Sequence, residues 1–327
     1  MDVRFLTSSA IERHRVDDVK PLLAREDGFV WVDIPQWDDT VGAMLRDLFG
    51  FHPMALKACQ ERHHTPSVHA YSDHTFLVLH SPEVQQAGHV HLIELNQFIA
   101  ARYLVTVHGP VNPVVPLEAA LKDTRGVMAR VESGRFHPRS PSELSYALIS
   151  AMVRRQSDLI AAVADKIATI EQVVMTDPLR NPEPLLEEMF LIRHELLTVR
   201  TMAAQARESC ARLLALPQLV PSEYRPWIED LVDQFDRLTS IGDGEREFLV
   251  GVIDLYQTRV STKMTVAMER LAVLAAITLP VTAIASVAGM NVIVNQNTHV
   301  VWLIVLLVLM AVISGVLLRW TKRQGWW

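Results

Sequence analysis

The chain has 327 residues, of which 50% are hydrophobic and 21% are charged, and its 31 basic and 37 acidic residues give a net charge of −6. A negative balance disfavours nucleic acid as a partner, because binding to phosphates requires an excess of Lys and Arg. Only two cysteines are present, Cys59 and Cys210, which excludes a disulfide framework and favours a reducing compartment. The length predicts two or three parts rather than one domain.

The hydrophobic residues are concentrated near the C-terminus. Residues 271–318 contain no Lys, Arg, Asp or Glu, and residues 264–327 contain four basic residues and one acidic residue. The rest of the chain therefore holds 27 basic and 36 acidic residues, a net charge of −9. This segregation predicts an acidic soluble body, compatible with cations as ligands, followed by a membrane-embedded segment.

Residues 1–135 mix strand-like and helical runs, which predicts an α/β layer domain. The predicted strands cover 28–34, 75–79, 92–99 and 103–107, and the predicted helices cover 41–49, 53–58 and 116–129. Residues 136–221 are helical, with a Pro-rich turn at 177–184, and predict an antiparallel helical arm. The fold class predicted for the whole chain is α+β.

Two uncharged runs, of 20 residues at 271–290 and 19 residues at 300–318, are each long enough to cross roughly 30 Å of hydrocarbon. The predicted outer loop, 291–299, contains no Lys or Arg, whereas the tail at 319–327 begins with Arg319, Lys322 and Arg323. The positive-inside rule then predicts a membrane hairpin with both termini cytoplasmic. The first residues lack the pattern of a signal peptide.

A very long helix is predicted for residues 222–290, serving first as a stalk and then as the first membrane span. One stripe along it repeats every three or four residues, as one face of a helix does. Its members are Asp254, Thr258, Ser261, Thr265, Met268, Leu271, Ala275, Leu279, Thr282 and Ser286. Such a stripe is expected of the pore formed by several copies, and a helix-packing seam produces the same spacing. So long a helix also predicts a homo-oligomer.

Eight of the 13 histidines fall within residues 52–91. They lie on different predicted elements without an HExxH motif or a cysteine pair, which favours structural or solvated histidines over a zinc site. The chain lacks a Gly-rich phosphate loop and a GxSxG motif. We therefore expect no enzyme, no bound cofactor and no nucleotide partner.

The outer end of the first span carries Gly289-Met290-Asn291, preceded by Leu279-Pro280 and Ala285. This stretch resembles the GMN signature of the CorA family of divalent-cation transporters. The likeness continues in His52-Pro53, in the segments 74–79, 103–108 and 252–256, and in the basic, Trp-bearing end 321–327. It implies a funnel-shaped homopentamer with the first span lining the pore and Gly289, Met290 and Asn291 as the ion-selectivity element.

Several positions depart from the pattern of the family. Ala288 stands where the family has Tyr, and the loop contains no acidic residue, with His299 as its titratable group. Alignment back from Asn291 places Asp254 at the inner pore mouth and Asp230 at a cytosolic metal-sensor position. The resemblance implies transport of Mg²⁺, with Co²⁺ or Ni²⁺, driven by the membrane potential. The alternatives are a proton-coupled Zn²⁺ transporter like the ZntB branch, and a membrane-anchored scaffold that does not conduct.

Overall fold

The computed structural model describes residues 1–63, 65–84, 89–110, 112–176, 182–215, 222–292 and 300–323. The chain divides into two compact units. The first comprises Met1–Gln172 and Glu183–Val252, and the second comprises Val173–Pro182 and Ile253–Trp327. The α+β class is confirmed.

The first unit is built on a mixed sheet of seven strands within the described residues, in the order β2-β1-β3-β7-β6-β5-β4. Its strands are β1 Asp2–Thr7, β2 Ile11–His14, β3 Gly28–Ile34, β4 Ser67–Ala70, β5 Thr75–Val84, β6 Val90–Ile99 and β7 Tyr103–His108. The central pair β3 and β7 is parallel, with Val30 opposite Tyr103, and the other neighbours are antiparallel. A parallel pair requires a long crossover, and residues 35–102 supply it.

Both faces of the sheet are covered, because successive side chains of a strand point to opposite sides. Phe76 and Val78 of β5 belong to one buried cluster, whereas Leu77 and Leu79 of the same strand belong to another. The first face is covered by α1 Val19–Leu23, α2 Asp39–Phe49 and α3 Pro53–Gln60. The second face packs against α5 Lys122–Glu132, which follows the short helix α4 Leu117–Ala120, and against the long helices that come later in the chain.

The helices of the first face begin and end at residues that satisfy their free backbone groups. Asp38 caps α2 by accepting a hydrogen bond of 2.7 Å from the Val41 amide, and the helix ends at Gly50 with a φ of 67°. His52 caps α3 through Nδ1, which accepts from the Met54 amide at 3.2 Å. His52 therefore has a structural role here.

The two arm helices are α6 Pro141–Thr176 and α7 Pro182–Leu214. In the first unit they share a buried core with the beginning of α8, to which Ile160, Met202 and Phe235 contribute. The Nζ of Lys166 on α6 lies 3.1 and 3.0 Å from the two carboxylate oxygens of Glu195 on α7. The expected helical arm is thus present.

Helix α8 runs from Arg225 to Val292, a length of 68 residues, after a short 3₁₀ turn at Ser222–Tyr224. At 1.5 Å per residue this is about 100 Å. Gly242 lies within it without interrupting it, and a Cβ there would lie 3.6 Å from the Cβ of Arg200. Helix α9 spans Val300–Arg323.

Candidate ion-conduction path

Two helices among the described residues are long and apolar enough to cross a membrane, one ending at Val287 and the other covering Ile304–Arg323. Only 6% of the apolar window of each helix is buried within the single chain. The apolar side chains are thus available to lipid or to other copies of the chain.

The small buried part of these two helices forms one face on each. On α8 the least exposed positions are Val273, Ala276, Ile277, Pro280, Val281 and Ile284, and on α9 they are Leu306, Met310, Ile313, Ser314, Leu317 and Thr321. Both sets repeat every three or four residues, which is the spacing of one helix face. We infer that the two helices pack on each other through these faces. This face of α9 was not predicted from the sequence, although Ser314 and Thr321 on it interrupt the aliphatic run.

All ten residues of the stripe on α8 are exposed in the single chain. They comprise Asp254, Thr258, Ser261, Thr265, Met268, Leu271, Ala275, Leu279, Thr282 and Ser286. Within the apolar part of the helix, the exposed side chains of Leu271 (64%) and Leu279 (68%) lie on the side opposite Val273 (8%). This opposition follows from 3.6 residues per turn. The stripe therefore lies on the side of α8 opposite its less exposed face.

The threonines of the stripe donate their hydroxyl hydrogens to their own helix. Thr258 donates to the Asp254 carbonyl at 2.9 Å, Thr265 to the Ser261 carbonyl at 3.0 Å, and Thr282 to the Thr278 carbonyl at 2.8 Å. A hydroxyl held in this way keeps its oxygen lone pairs as acceptors. The stripe thus presents oxygen acceptors near both of its ends, with the apolar residues Met268, Leu271, Ala275 and Leu279 between them.

The Gly289-Met290-Asn291 element lies in the last turns of α8. The helix passes through Gly289 and continues to Val292. Gly289 is exposed, and a Cβ there would meet no atom within 4 Å among the described residues. One glycine costs a helix only about 1 kcal/mol, so it can be accommodated without a break. The side chains of Ala288, Met290 and Asn291, and residues 293–299 with His299, lie outside the described residues.

Asp230, the candidate sensor, is half-buried in the first unit. Its Oδ2 accepts a hydrogen bond of 2.7 Å from the Tyr146 hydroxyl and another from Gln234 Nε2. Two donors on one oxygen leave Oδ1 for a further partner. Asp254 is exposed and makes no ion pair with the described residues.

The histidines of residues 52–91 are distributed over the body. His74 and His80 are buried, whereas His69 is exposed, and His64 lies outside the described residues. No group of three or more His, Cys, Asp or Glu side chains in the described part of the chain is arranged to hold a metal ion. His80 Nε2 is 2.7 Å from the His63 carbonyl oxygen, which is a structural contact.

A mixed-sheet body, a helical arm and two C-terminal spanning helices define a membrane protein with a large extramembrane domain. The family model described as CorA-like Mg²⁺ transporter protein matches residues 26–323. The chain therefore belongs to the CorA family, a family of metal-cation transporters rather than of enzymes.

Individual relatives agree with this assignment. The chain is 27% identical over 305 residues to the putative metal ion transporter YfjQ of Bacillus subtilis, covering 90% of this chain and 89% of that protein. It is 23% identical over 321 residues to the cobalt/magnesium transport protein CorA of Thermotoga maritima, covering 95% and 88%. The structure of the CorA magnesium transporter of Methanocaldococcus jannaschii superposes with a TM-score of 0.81 at 19% identity, covering 100% and 99% of the two chains. At that identity the superposition shows a shared fold.

Proposed function

We propose that five copies of the chain form a pore that carries Mg²⁺, and also Co²⁺ or Ni²⁺, into the cytoplasm. One observation carries the proposal: α8 has a less exposed face at residues 273–284 and, on its opposite side, an exposed stripe that begins at Asp254 and leads toward Asn291. In the proposed pore, α9 covers the less exposed face of each α8. The opposite sides of the five α8 helices then face one another and enclose a central path.

The lining suits an ion that keeps its water. Mg²⁺ releases water reluctantly and prefers six oxygen ligands. The hydroxyl oxygens of Thr258, Thr265 and Thr282 can accept hydrogen bonds from that water shell, and the Asp254 carboxylate attracts the cation at the inner mouth. In the proposed pore, the five Asn291 amides form the selectivity element, with Gly289 keeping the backbone accessible and Met290 packing behind.

The energy for uptake comes from the membrane potential. Each charge moved inward gains about 2.3 kcal/mol per 100 mV, so a divalent ion gains about twice that. Neither a nucleotide nor a bound cofactor is needed. The arrangement requires the N- and C-termini to be cytoplasmic in the bacterial inner membrane, in agreement with the basic residues after α9 and their absence from the 291–299 loop.

A second candidate is Zn²⁺ transport coupled to protons. The observation that favours it is the loop 291–299, which has no carboxylate to attract Mg²⁺ and contains His299. Histidine is a good ligand for Zn²⁺ and also titrates near neutral pH.

The test is ion uptake into liposomes that contain the purified full-length chain, under an inside-negative potential. We expect saturable Mg²⁺ uptake that is lost in Asn291→Ala and retained in the matched variant Asn295→Ala. Uptake of Zn²⁺ without Mg²⁺, dependent on a pH gradient, would favour the second candidate. Absence of flux for either ion would contradict both and favour a non-conducting scaffold.

A further inference from the structure

The first unit contains a cavity of about 400 Å³ that the transport proposal does not use. It lies where the β4–β5 and β6–β7 turns meet the beginnings of α6 and α8. Its floor includes the buried residues Leu213, Leu231 and Ser145. The volume is within the range of small-molecule pockets.

Aromatic rings form much of the wall of this cavity. Tyr224 and Trp227 stack with ring centroids 5.5 Å apart and an interplanar angle of 29°, and Tyr146 lies 6.1 Å from Trp227. From the sheet side, Tyr71 stacks on His74 at 4.7 Å. All four of these Tyr and Trp side chains are half-buried, so each ring is held by the fold while part of it remains accessible.

The charge around the cavity has one sign. Asp73 and Glu223 line it, whereas no Lys or Arg does so among the described residues. The side chain of Asp73 is 58% exposed, and Glu223 is also exposed. Behind the wall, Oδ2 of Asp230 accepts a hydrogen bond of 2.7 Å from the Tyr146 hydroxyl. A positive ligand would therefore meet no Lys or Arg side chain of the described lining.

The phenols of the wall remain neutral at neutral pH. Burial is the main cause that raises the pKa of Tyr71, of Tyr146 and of Tyr224. A phenol that donates to a carboxylate, as Tyr146 does, is polarised toward a more negative ring. The negative faces of such rings attract cations, most strongly when the cation has lost water.

A metal ion does not suit this place, since no three ligating side chains converge here or elsewhere in the described residues. A large, weakly hydrated cation suits it better, because aromatic faces replace its water at little cost. We propose that this cavity, walled by Tyr71, Tyr146, Tyr224 and Trp227 and rimmed by Asp73 and Glu223, binds a small organic ammonium ion. The inference is independent of which metal ion the protein transports.

Titration calorimetry on the full-length chain in detergent tests this proposal, with choline and tetramethylammonium as probes and dimethylbutanol, the uncharged carbon isostere of choline, as the control ligand. We expect saturable binding of both cations and none of the isostere. Trp227→Leu should weaken choline binding about tenfold, whereas Trp227→Phe retains most of it because a ring is kept.

The rim is tested by a matched pair of substitutions. Glu223→Gln should weaken choline binding about threefold at low salt, whereas Glu229→Gln, an exposed carboxylate outside the lining, should leave it unchanged. Circular dichroism and the melting temperature of each variant establish that it is folded. Equal binding of choline and dimethylbutanol, absence of saturable heat with the wild-type chain, or full binding by folded Trp227→Leu would overturn the proposal.

Discussion

The hydroxyl of Tyr146 on α6 donates a hydrogen bond of 2.7 Å to Oδ2 of Asp230 on α8, linking residues 84 positions apart in the chain. Gln234, one turn further along α8, donates to the same oxygen. Tyr146→Phe removes one of the two donors, and we expect a cost of about 1 kcal/mol, since both partners are only half-buried. In a unit of this size, the melting temperature should fall by about 2–4 °C.

Tyr71→Phe is the control for that substitution, because the Tyr71 hydroxyl makes no hydrogen bond with the described residues. Its melting temperature should stay within about 1 °C of that of the wild type. Equal losses in the two variants would show that the bond to Asp230 contributes nothing specific.

Asp230 is also the proposed metal sensor. Substitutions at Asp230 and at Tyr146 distinguish that role from a purely structural one. If Oδ1 binds Mg²⁺, Asp230→Asn should raise the Mg²⁺ concentration that protects the chain from limited proteolysis by about tenfold, because a neutral amide binds Mg²⁺ far more weakly. Tyr146→Phe keeps the carboxylate and should need no more Mg²⁺ than the wild type. If both variants or neither shift the protection curve, Asp230 has only a structural role.

Local patterns predicted the central strands and the long helices. Strand β3 begins and ends at the predicted residues 28 and 34, because a run of β-branched and aromatic residues is buried on both sides there. Helix α2 begins two residues before the predicted start, at the Asp38 cap. The membrane spans followed from length and the absence of charge, and the CorA family from the GMN stretch and its context.

Features that depend on tertiary contacts were not predictable in this way. Strands β2 and β4 have four residues each, include charged or His side chains, and lie at the two edges of the sheet. Neither shows a clear alternation of polar and apolar residues. The predicted helix at 116–129 is divided into α4 and α5 at Leu121. The aromatic cavity combines residues from turns and helices more than 150 positions apart, a proximity that no local period encodes.

The apolar middle of the proposed pore predicts a hydrophobic barrier to ions. Leu271 is 64% exposed on the stripe, and in an assembled pore its side chains would exclude water from the path. Leu271→Ser should therefore increase Mg²⁺ uptake into liposomes severalfold. Leu307→Ser, at an exposed position of α9 away from the stripe, should leave the rate unchanged. The reverse pattern would place the path along α9 instead.

In the ion pair between Lys166 and Glu195, the carboxylate is buried and the lysine side chain is partly exposed. The Glu195 side chain is 1% exposed, whereas that of Lys166 is 41% exposed. Lys166→Met leaves a buried carboxylate without its cation and should cost about 2 kcal/mol, or about 4–8 °C in melting temperature.

The double variant Lys166→Met/Glu195→Leu should recover most of this loss, because apolar groups of similar size replace a buried pair at little cost. Arg212→Met breaks the exposed pair with Glu208 and should change the melting temperature by less than about 2 °C. A double variant no more stable than Lys166→Met would show that the loss comes from packing rather than from the unpaired charge.

Glu94 makes the stability of the first unit depend on pH. The residue is 5% exposed, and burial raises the pKa of its carboxyl above the ordinary 4.5, against the opposing effects of the His63 amide and the Asn96 side chain, each 2.8 Å away. The folded chain therefore holds this proton more tightly than the unfolded chain does. Its contribution to stability is complete below about pH 4.5 and declines as the pH rises through the raised value.

Glu94→Gln should flatten this part of the stability curve, because the amide cannot ionise. The Asn96 Oδ1 atom, which is buried without a partner among the described residues, can accept from the new amide if the Asn96 side chain flips. Chemical unfolding between pH 4.5 and 7.5 measures the effect: the wild type should lose stability relative to Glu94→Gln across this range. His80 Nε2 lies 3.9 Å from Glu94 Oε2. A slope that persists unchanged in Glu94→Gln would show that the pH dependence comes from a group other than Glu94.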